Sequence, residues 1–318
     1  MIPPEYAVRP LEFDDSAGLP DGPDVDLAYA VVCAADEAIL GAPDETREAR
    51  RSGLTSVDAL RDEHRLVLDD SGAPVGLLTV ERDPALRSIF LEAYAVPAHG
   101  ALLGPLLARG LDAARRLRGE GEWRVDTAAF AQDATSIAAI TAAGFGPKRR
   151  FWKMEADLAG QSPEDPPPPP GVTRTVAVTE EDFRLLHRID QVSFADHFDF
   201  APHPYEEWMP WFTDRRDARP DLWWLAWLDG EPVGLCMGDD RRAGDGEAYV
   251  RVLGVIPSAR GRGIATWLLL SAFAQAAREG RTAVALNVDS DNTTGAVGLY
   301  ERVGMRATEV VDLYSQPL

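Results

Sequence analysis

Apolar and polar residues recur with two different periods along the chain, and each change of period marks a predicted element. An apolar residue at every third or fourth position predicts helices at 25–39, 104–117, 134–143, 264–279 and 293–303. A further helix is predicted from the N-cap Thr179 to residue 192. Short apolar runs predict strands at 66–69, 74–81, 89–96, 150–158, 172–178, 222–228, 233–237, 247–255, 284–288 and 307–314. Because strands and helices mix throughout, the pattern predicts an α/β (α+β) fold class.

A proline run near the middle divides the pattern into two halves. Residues 161–171 contain five consecutive prolines closed by a glycine, and such a run acts as a semi-rigid spacer. The strand–turn–strand pattern around Pro74 recurs around Pro232, and Gly144 recurs at Gly304, at offsets of 158 and 160 residues. We therefore predict a duplicated fold, with a first domain at 1–160, a linker at 161–171 and a second domain at 172–318.

Composition and charge narrow the function. The 318 residues carry a net charge of −20, which argues against a general nucleic-acid binder. This acidity fits a cationic amine substrate, and it fits ordinary solubility equally well. Cys33 and Cys236 lie far apart and form no metal-ligand spacing, so we expect no metal site. The start lacks signal-peptide features and no apolar run could span a membrane, so we expect a cytoplasmic protein without a membrane partner. We also expect a monomer or homodimer.

The most informative stretch joins the predicted strand 247–255 to the helix 264–279. The first N–H groups of a helix lack intrahelical partners and carry the positive end of the helix dipole. Gly261 and Gly263 would let a phosphate approach these groups, and Arg260 and Arg262 would add mobile positive charge. Neither the Gly-Lys-Ser/Thr of a P-loop nor the third glycine of the dinucleotide fingerprint is present. The stretch therefore predicts another kind of phosphate cradle.

Two motifs resemble those of one known family. The pattern Val-x-Pro-x-x-Arg-Gly-x-Gly-x-Ala, from Val255 to Ala265, resembles the acetyl-CoA loop of the GNAT acetyltransferase superfamily. The run from Asn292 to Met305 resembles the GNAT pattern Asn-x-x-Ala/Gly-x-x-x-Leu-Tyr-x-x-x-Gly-Phe. The resemblance implies two tandem GNAT folds, each a mixed, mostly antiparallel twisted sheet flanked by helices. It also implies acetyl-CoA as the acyl donor, with no metal.

The same resemblance implies roles for individual residues. The predicted cofactor-binding residues are Leu253, Val255, Arg260, Gly261, Arg262, Gly263, Ile264, Ala265 and Asn292. Tyr300 is the implied acid that protonates the departing thiolate, although it could instead be a core aromatic. A backbone N–H of Leu253 or Val255 is the implied oxyanion donor. Asn292 is implied to contact the cofactor or the loop, and an N-cap role is equally consistent.

The base and the acceptor side are less well defined. Related enzymes carry a glutamate on the strand 247–255, so Glu247 is the predicted base, although the family position falls nearer Tyr249. Strand alternation would place Glu247, Tyr249, Arg251, Leu253 and Val255 on one face. The predicted substrate-binding residues are His197, Asp239 and Tyr249. Glu247, His197 and Asp239 could each instead be structural or solvated.

The first domain is expected to be a degenerate copy. Its counterpart of the cradle keeps one glycine, has no arginine and contains Pro105, which lacks an N–H. Tyr300 corresponds to Ile140 at an offset of 160, so the acid is absent. The predicted function is acetyl-CoA-dependent acetylation of a primary amine on a small molecule, such as an amino sugar, its conjugate or an antibiotic. The alternatives are a protein lysine acetyltransferase and a non-catalytic acyl-CoA-binding regulatory protein.

Overall fold

The computed structural model describes residues 2–16, 19–56, 58–292 and 295–318. It divides into two compact units: Met1–Phe151 with Val310–Leu318 form the first, and Trp152–Glu309 form the second. The division at 1–160, 161–171 and 172–318 stays a prediction, and its bounds differ from those of the units. Residues 310–318 group with the first unit because the last strand of the chain pairs there.

The first unit is built on a mixed sheet. Its elements are β1 (Ala7–Pro10), α1 (Pro23–Leu40), α2 (Arg47–Thr55), β2 (Arg65–Leu68), β3 (Pro74–Asp83), β4 (Ser88–Ala95), α3 (Leu103–Leu117), β5 (Arg124–Phe130) and α4 (Ala134–Ala142). The strand β6 (Gly146–Asp157) continues into the second unit, and β12 (Arg306–Pro317) returns from it. Within this unit the strand order is β1-β2-β3-β4-β5-β12. In the described part of this unit, β4 and β5 pair in parallel, and the other neighbouring strands pair antiparallel.

Two apolar cores cover the two faces of this sheet. One joins α1 and α2 to the sheet through Val31, Leu54 and Leu77. The other joins α3 and α4 through Leu106 and Ile140. Burial of these side chains is the main force that holds the helices on the sheet.

The second unit repeats this plan. Its elements are β7 (Val172–Val176), α5 (Glu180–Phe194), α6 (Tyr205–Trp208), α7 (Pro210–Thr213), β8 (Ala218–Leu228), β9 (Glu231–Asp239), β10 (Glu247–Val255), α8 (Ile264–Arg278), β11 (Ala283–Asp289) and α9 (Ala296–Arg302). Its strand order is β6-β11-β10-β9-β8-β7, with β10 and β11 parallel and the β7–β10 neighbours antiparallel. The predicted fold class is thereby confirmed, with a mixed, mostly antiparallel sheet in each unit.

Three local predictions differ from the structure. The strand β5 was not predicted, because Arg124, Asp126 and Thr127 interrupt its apolar pattern; the buried Asp126 is instead paired with Arg124 and Lys148. The predicted last strand, 307–314, is longer in the structure, where β12 runs from Arg306 to Pro317. The predicted helix 293–303 begins at Ala296, and Thr293 and Thr294 lie outside the described residues.

The proline-rich segment 161–171, called the proline strap below, is bonded to α8. The indole Nε1 of Trp267 donates to the carbonyl of Pro166 at 3.0 Å. Arg278 donates to the carbonyl of Pro163 at 2.6 Å and pairs with Asp165 at 3.2 Å. The segment predicted as a spacer is therefore fixed along a helix of the second unit.

Two kinds of feature are absent from the described ranges. None of their helices is both long enough and apolar enough to cross a bilayer. No group of three or more His, Cys, Asp or Glu side chains in these ranges is arranged to hold a metal ion.

Candidate active site

The strands β10 and β11 separate partway along their length. They pair in parallel at Glu247 with Ala283, Ala248 with Val284, and Tyr249 with Ala285. Beyond Tyr249 the described residues of the two strands form no further pairs, although β10 continues to Val255 and β11 to Asp289. Separated strands leave backbone donors and acceptors open along the gap between them. This gap is called the cleft below.

Backbone donors of β10 point into the cleft. The N–H of Ile256 donates to the carbonyl of Val233 at 2.9 Å, so it points toward β9. Successive N–H groups of a strand point to opposite edges. The N–H groups of Val255 and Leu253 therefore point away from β9, toward the cleft. These are the two residues predicted as oxyanion donors, and that role stays a prediction.

A cradle of N–H groups follows the end of β10. Gly261 and Gly263 take left-handed φ values of 77° and 78°, a region that costs other residues roughly 1–2 kcal/mol. Among the described residues, no acceptor bonds the N–H groups from Gly261 to Thr266. Gly261 and Gly263 are exposed, so the backbone just before α8 is accessible to a ligand from solvent. The arrangement fits a pyrophosphate, which needs several converging donors at a helix N-terminus.

The two arginines of the cradle differ. Arg260 Nε donates to the carbonyl of Val255 at 3.1 Å, and its Nη2 donates to the carbonyl of Ser193 at 2.9 Å. Arg260 therefore pins the loop to β10 and α5, and the expectation that it supplies mobile charge was wrong. Arg262 is exposed and forms no ion pair with the residues that the structure describes, and its role as a mobile cation stays a prediction. The Ser193 hydroxyl nearby is buried without a hydrogen-bond partner in the same ranges.

Tyr300 lies in the apolar core on the α8 face of the sheet. It is 8% exposed, and it belongs to the same buried cluster as Cys236 and Val255. Burial, with a smaller contribution from Cys236, raises the pKa of Tyr300 to about 12. Because of this raised pKa the phenol is protonated at neutral pH. Its hydroxyl donates to none of the described residues, so it is available to donate to a ligand.

A β-bulge changes the face on which the residues of β10 lie. Val250 pairs with Gly238 and Val252 pairs with Met237, which leaves Arg251 as an extra residue. Leu253 consequently packs in the α8 core, and Val252 packs in the core with Trp208 and Phe212. The expectation that Tyr249, Arg251 and Leu253 share one face was wrong, because a bulge shifts strand alternation by one residue.

The bulged Arg251 was missed by the sequence analysis. Its guanidinium lies 4.5 Å from the ring centroid of Phe212, and its side chain is 24% exposed. Burial, reinforced by the nearby Arg241, lowers the pKa of Arg251 to about 9. It lies two residues beyond the last parallel pair, where the strands separate. A charged residue inside an otherwise apolar strand was the available signal.

Glu247 lies at the far end of β10 from the cradle. Its carboxylate is 2.5 Å from Arg242 and 3.6 Å from Lys153, and its side chain is 13% exposed. Eight residue steps of about 3.3 Å separate it from Val255. Its assignment as the base stays a prediction, but two cations already compete for the carboxylate.

Two other predicted residues are held in a polar cluster. Asp239 is 4% exposed and binds Arg241 through both oxygens, at 2.9 and 2.7 Å. Tyr249 is 8% exposed, and its ring lies 4.5 Å from the guanidinium of Arg241. Asp239 is therefore already neutralised, and binding of a substrate ammonium there would require Arg241 to move.

His197 and Asn292 are the remaining residues predicted to contact a ligand. The half-buried His197 stacks on Phe194 with ring centroids 4.6 Å apart. Burial and then the charge of Arg260 lower the pKa of His197, so the imidazole is neutral at neutral pH. Asn292 precedes the N-cap residue Gly295 by three positions, so the N-cap alternative was wrong. Its predicted contact with the cofactor or loop stays a prediction.

Known proteins resemble the chain in both sequence and fold. Residues 183–305 match the model of the Acetyltransferase (GNAT) family. A mycothiol acetyltransferase of Nocardia farcinica is 30% identical over 310 residues, covering 86% of this chain and 93% of that protein. The chain belongs to the GNAT family of acetyltransferases. The resemblance drawn from the two motifs is thereby confirmed, together with the expected class of N-acetyltransferase.

Other members of the GNAT family extend this likeness. A mycothiol acetyltransferase of Kytococcus sedentarius is 31% identical over 186 residues, but the match spans only 60% of that protein and 55% of this chain. A GCN5-related N-acetyltransferase structure from Sphaerobacter thermophilus matches 100% of this chain and 97% of its own, with a TM-score of 0.80 and 26% identity. A tandem GNAT protein of the clavulanic acid pathway covers 98% of both chains, with a TM-score of 0.75 and 15% identity. The last likeness supports the tandem fold alone.

Proposed function

We propose that the second unit transfers the acetyl group of acetyl-CoA to a primary amine of a small molecule, by direct attack in a ternary complex. The proposal rests on the unpartnered N–H groups from Gly261 to Thr266, which follow a strand that leaves its parallel neighbour. The cradle supplies N–H groups that can bond the pyrophosphate of acetyl-CoA. The open edge of β10 supplies N–H groups that can bond its amide-containing arm. Arg262 would add a mobile cation beside the phosphates.

The proposed chemistry needs no covalent enzyme intermediate. The amine nitrogen attacks the thioester carbonyl carbon, and the C–S bond breaks as the C–N bond forms. The N–H groups of Leu253 and Val255 donate to the carbonyl oxygen as negative charge develops. Tyr300 donates to the departing sulfur; its pKa of about 12 exceeds the roughly 8.5 of an ordinary thiol. Because full transfer between these values is uphill, Tyr300 acts mainly by hydrogen-bonding the thiolate.

Two side chains are candidates for the base that accepts the proton from the attacking amine. We propose His197, because its lowered pKa keeps the imidazole neutral and its electrostatic neighbours are Arg260 and Asp289. Glu247, predicted from the sequence, is ion-paired with Arg242 and Lys153. His197→Gln should reduce kcat/KM by about 10²-fold and remove the acidic limb of its pH profile, whereas Glu247→Gln should change both less. The opposite ranking would restore Glu247 as the base.

The acceptor is proposed to be a small, uncharged amine. Asp239 and Glu247 are already bound by arginines, so neither carboxylate is free to bind the ammonium of a lysine side chain on a protein. The relatives in Nocardia and Kytococcus are named mycothiol acetyltransferases. A mycothiol precursor or another amino-sugar conjugate is therefore the first acceptor to test.

The decisive experiment measures acetyl transfer by the full chain. Purified protein is incubated with acetyl-CoA and a panel of primary amines, each beside its tertiary-amine analogue, and acetylated product is detected by mass spectrometry. We expect product only with primary amines, and none from Gly263→Glu. Acetylation of peptide lysines alone would favour the protein acetyltransferase. Acetyl-CoA binding without any product would favour the regulatory alternative.

A further inference from the structure

The first unit contains its own open cleft. Strands β4 and β5 pair in parallel from Ser88 with Arg124 to Leu91 with Thr127, and their described residues form no pairs beyond that point. Residues 92–95 of β4 and 128–130 of β5 line a cavity of about 300 Å³. This volume lies at the lower end of the range for small-molecule sites. The copy that lost the predicted acid has therefore kept a ligand-sized space.

This cavity lacks the features that bind phosphate. A 3₁₀ helix, Pro97–Leu102, passes directly into α3, and the junction residues Leu102 and Leu103 are right-handed helical. Neither Gly100 nor Gly104 has a positive φ. The N–H groups at this junction are thus turned along a continuous helix. Pro105 removes one donor altogether.

The charge of the cavity has one sign. Its ionisable lining residues within the described ranges are Asp36, Asp44, Glu92, Tyr94 and Asp133. No lysine, arginine or histidine of those ranges lines it. The rest of the wall is largely aliphatic or aromatic and includes Ile39, Leu103 and Phe130. The chemistry suits a ligand with one cationic end and an apolar body.

Asp36 is the buried group that points to such a ligand. It is 4% exposed, and its Oδ2 accepts the N–H of Asp44 at 3.1 Å. Its Oδ1 accepts no hydrogen bond in the part of the chain that the structure describes, and no cation there pairs with it. An unpaired buried carboxyl is costly, and a ligand ammonium in the cavity would both bond it and balance its charge.

The other acids of the cavity are already engaged. Glu92 accepts from Arg50 at 2.8 Å, from Thr79 at 3.0 Å and from Tyr94 at 3.1 Å. Asp133 caps α4 through the N–H groups of residues 135 and 136. These contacts hold the walls in place, whereas Oδ1 of the buried Asp36 accepts no hydrogen bond from the described residues.

We propose that the first unit binds a small primary amine in this cavity, with its ammonium on Asp36. The site is separate from the cradle of the second unit, and the proposal holds whether or not that unit acetylates amines. Burial, with the charges of Asp44 and Glu45 acting against that of Arg50, raises the pKa of Asp36 to about 7. Tyr94 also faces this group. A bound ammonium favours the carboxylate, so binding releases a proton from Asp36 at pH 6 and strengthens as the pH rises through 7.

The test is calorimetric titration of the full chain with 2-phenylethylamine, agmatine and glucosamine, with 2-phenylethanol as the neutral match. We expect at least one amine to bind, about tenfold more tightly at pH 8 than at pH 6, while the alcohol does not bind. Asp36→Asn should weaken that binding at least tenfold. Asp112→Asn, an exposed aspartate on α3, should leave it unchanged.

Several outcomes would overturn the proposal. These are no binding by any amine, equal binding of 2-phenylethanol, or full binding by Asp36→Asn. Should Asp36→Asn fail to fold, titrations of the unaltered protein in buffers of different ionisation enthalpy count the protons released at pH 6; a count near zero contradicts the assignment. Acetyl-CoA binding to the first unit is measured on the Gly263→Glu variant, in which the cradle of the second unit is blocked. Displacement of the amine by acetyl-CoA there would make the cavity a second acyl-CoA site instead.

Discussion

The two units contain the same separated pair of parallel strands but end it differently. In the second unit, β10 carries a bulge at Arg251 and leads to two left-handed glycines. In the first, β4 pairs with β3 without a shift in register and leads to a 3₁₀ helix that passes into α3 without a left-handed glycine. One fold thus offers an anion cradle in one copy and an acidic cavity in the other. In both units the strand separation provides space; the second unit adds a glycine turn with open N–H groups, and the first unit adds acidic wall residues such as Asp36 and Glu92.

A second contrast concerns what fills the gap near the strand end. Gly254 lies three residues before Pro257, and Tyr94 lies three residues before Pro97. A Cβ on Gly254 would lie 2.9 Å from Leu235 and 3.0 Å from Ser193, so α5 packs directly against the backbone of β10. Tyr94 instead lines the cavity and donates to Glu92. The acidic cavity therefore includes a side chain where the other unit has none.

The largest expected effect comes from closing the cradle. Gly263→Glu should weaken acetyl-CoA binding by about 10³-fold, because a left-handed non-glycine residue is strained and a carboxylate opposes the phosphates. The matched change Gly104→Glu in the first unit should leave the affinity unchanged. Calorimetry on the full chain checks both. A second acetyl-CoA site of similar affinity, or one sensitive to Gly104→Glu, would remove the contrast between the units.

The next effect concerns Tyr300, whose counterpart in the first unit is Ile140. Tyr300→Phe should lower kcat by about 10²-fold with little change in acetyl-CoA affinity, because it deletes a hydrogen bond to the thiolate. Tyr314→Phe, a buried tyrosine of the first unit, is the control. Single-turnover rates should be used, so that product release does not mask the step. Equal rates for Tyr300→Phe and the unaltered protein would exclude this role.

A smaller effect separates the two arginines of the cradle. Arg260→Ala should weaken acetyl-CoA binding about tenfold at all salt concentrations, because it frees the loop from the carbonyls of Val255 and Ser193. Arg262→Ala should weaken it only a few-fold, and that loss should vanish at high salt because an exposed charge is screened. Affinities measured at low and at high salt distinguish them. A salt-dependent loss for Arg260→Ala would show that it acts as a mobile charge after all.

The smallest effect tests the proline strap. Trp267→Phe should lower the free energy of unfolding by about 1 kcal/mol, since it deletes the bond to the Pro166 carbonyl and keeps most of the ring. The corresponding residue of the first unit is Leu107, 160 positions earlier, and Leu107→Met should change stability by less than the strap variant. Denaturant unfolding gives both values. No loss for Trp267→Phe would mean that the strap contributes nothing to stability.

The sequence predicted the features that depend on neighbouring residues. The apolar periods located most strands and helices, and Gly261 and Gly263 marked the cradle because left-handed turns favour glycine. The duplication was visible because its turns recur at nearly constant offsets. Tyr300 was singled out by its motif, and its role as the acid stays a prediction; the structure adds the burial that keeps it protonated.

Features set by distant contacts were missed. The bulge at Arg251 depends on register with β9, which no local pattern encodes. The role of Arg260 depends on Ser193, 67 residues away in sequence. The cavity at Asp36 forms only where α1, β4 and β5 come together. In the sequence, Asp36 is one of several acidic residues in a predicted helix, and nothing local marks it as part of a site. Glu247 was chosen from the family resemblance and its place on the strand, and its partners Arg242 and Lys153 were not foreseen.

The pairing of β12 with β5 also orders events during synthesis. Residues 311–317 complete the sheet edge beside β5, from Val311 opposite Phe130 to Pro317 opposite Arg124. The ribosome makes these residues only after it has made all of the second unit. The unit that is translated first is therefore completed last. The edge of β5 that pairs with β12 lacks this partner until about 180 further residues have been synthesised. Anything that shortens the chain before residue 317 should damage the amino-terminal unit first.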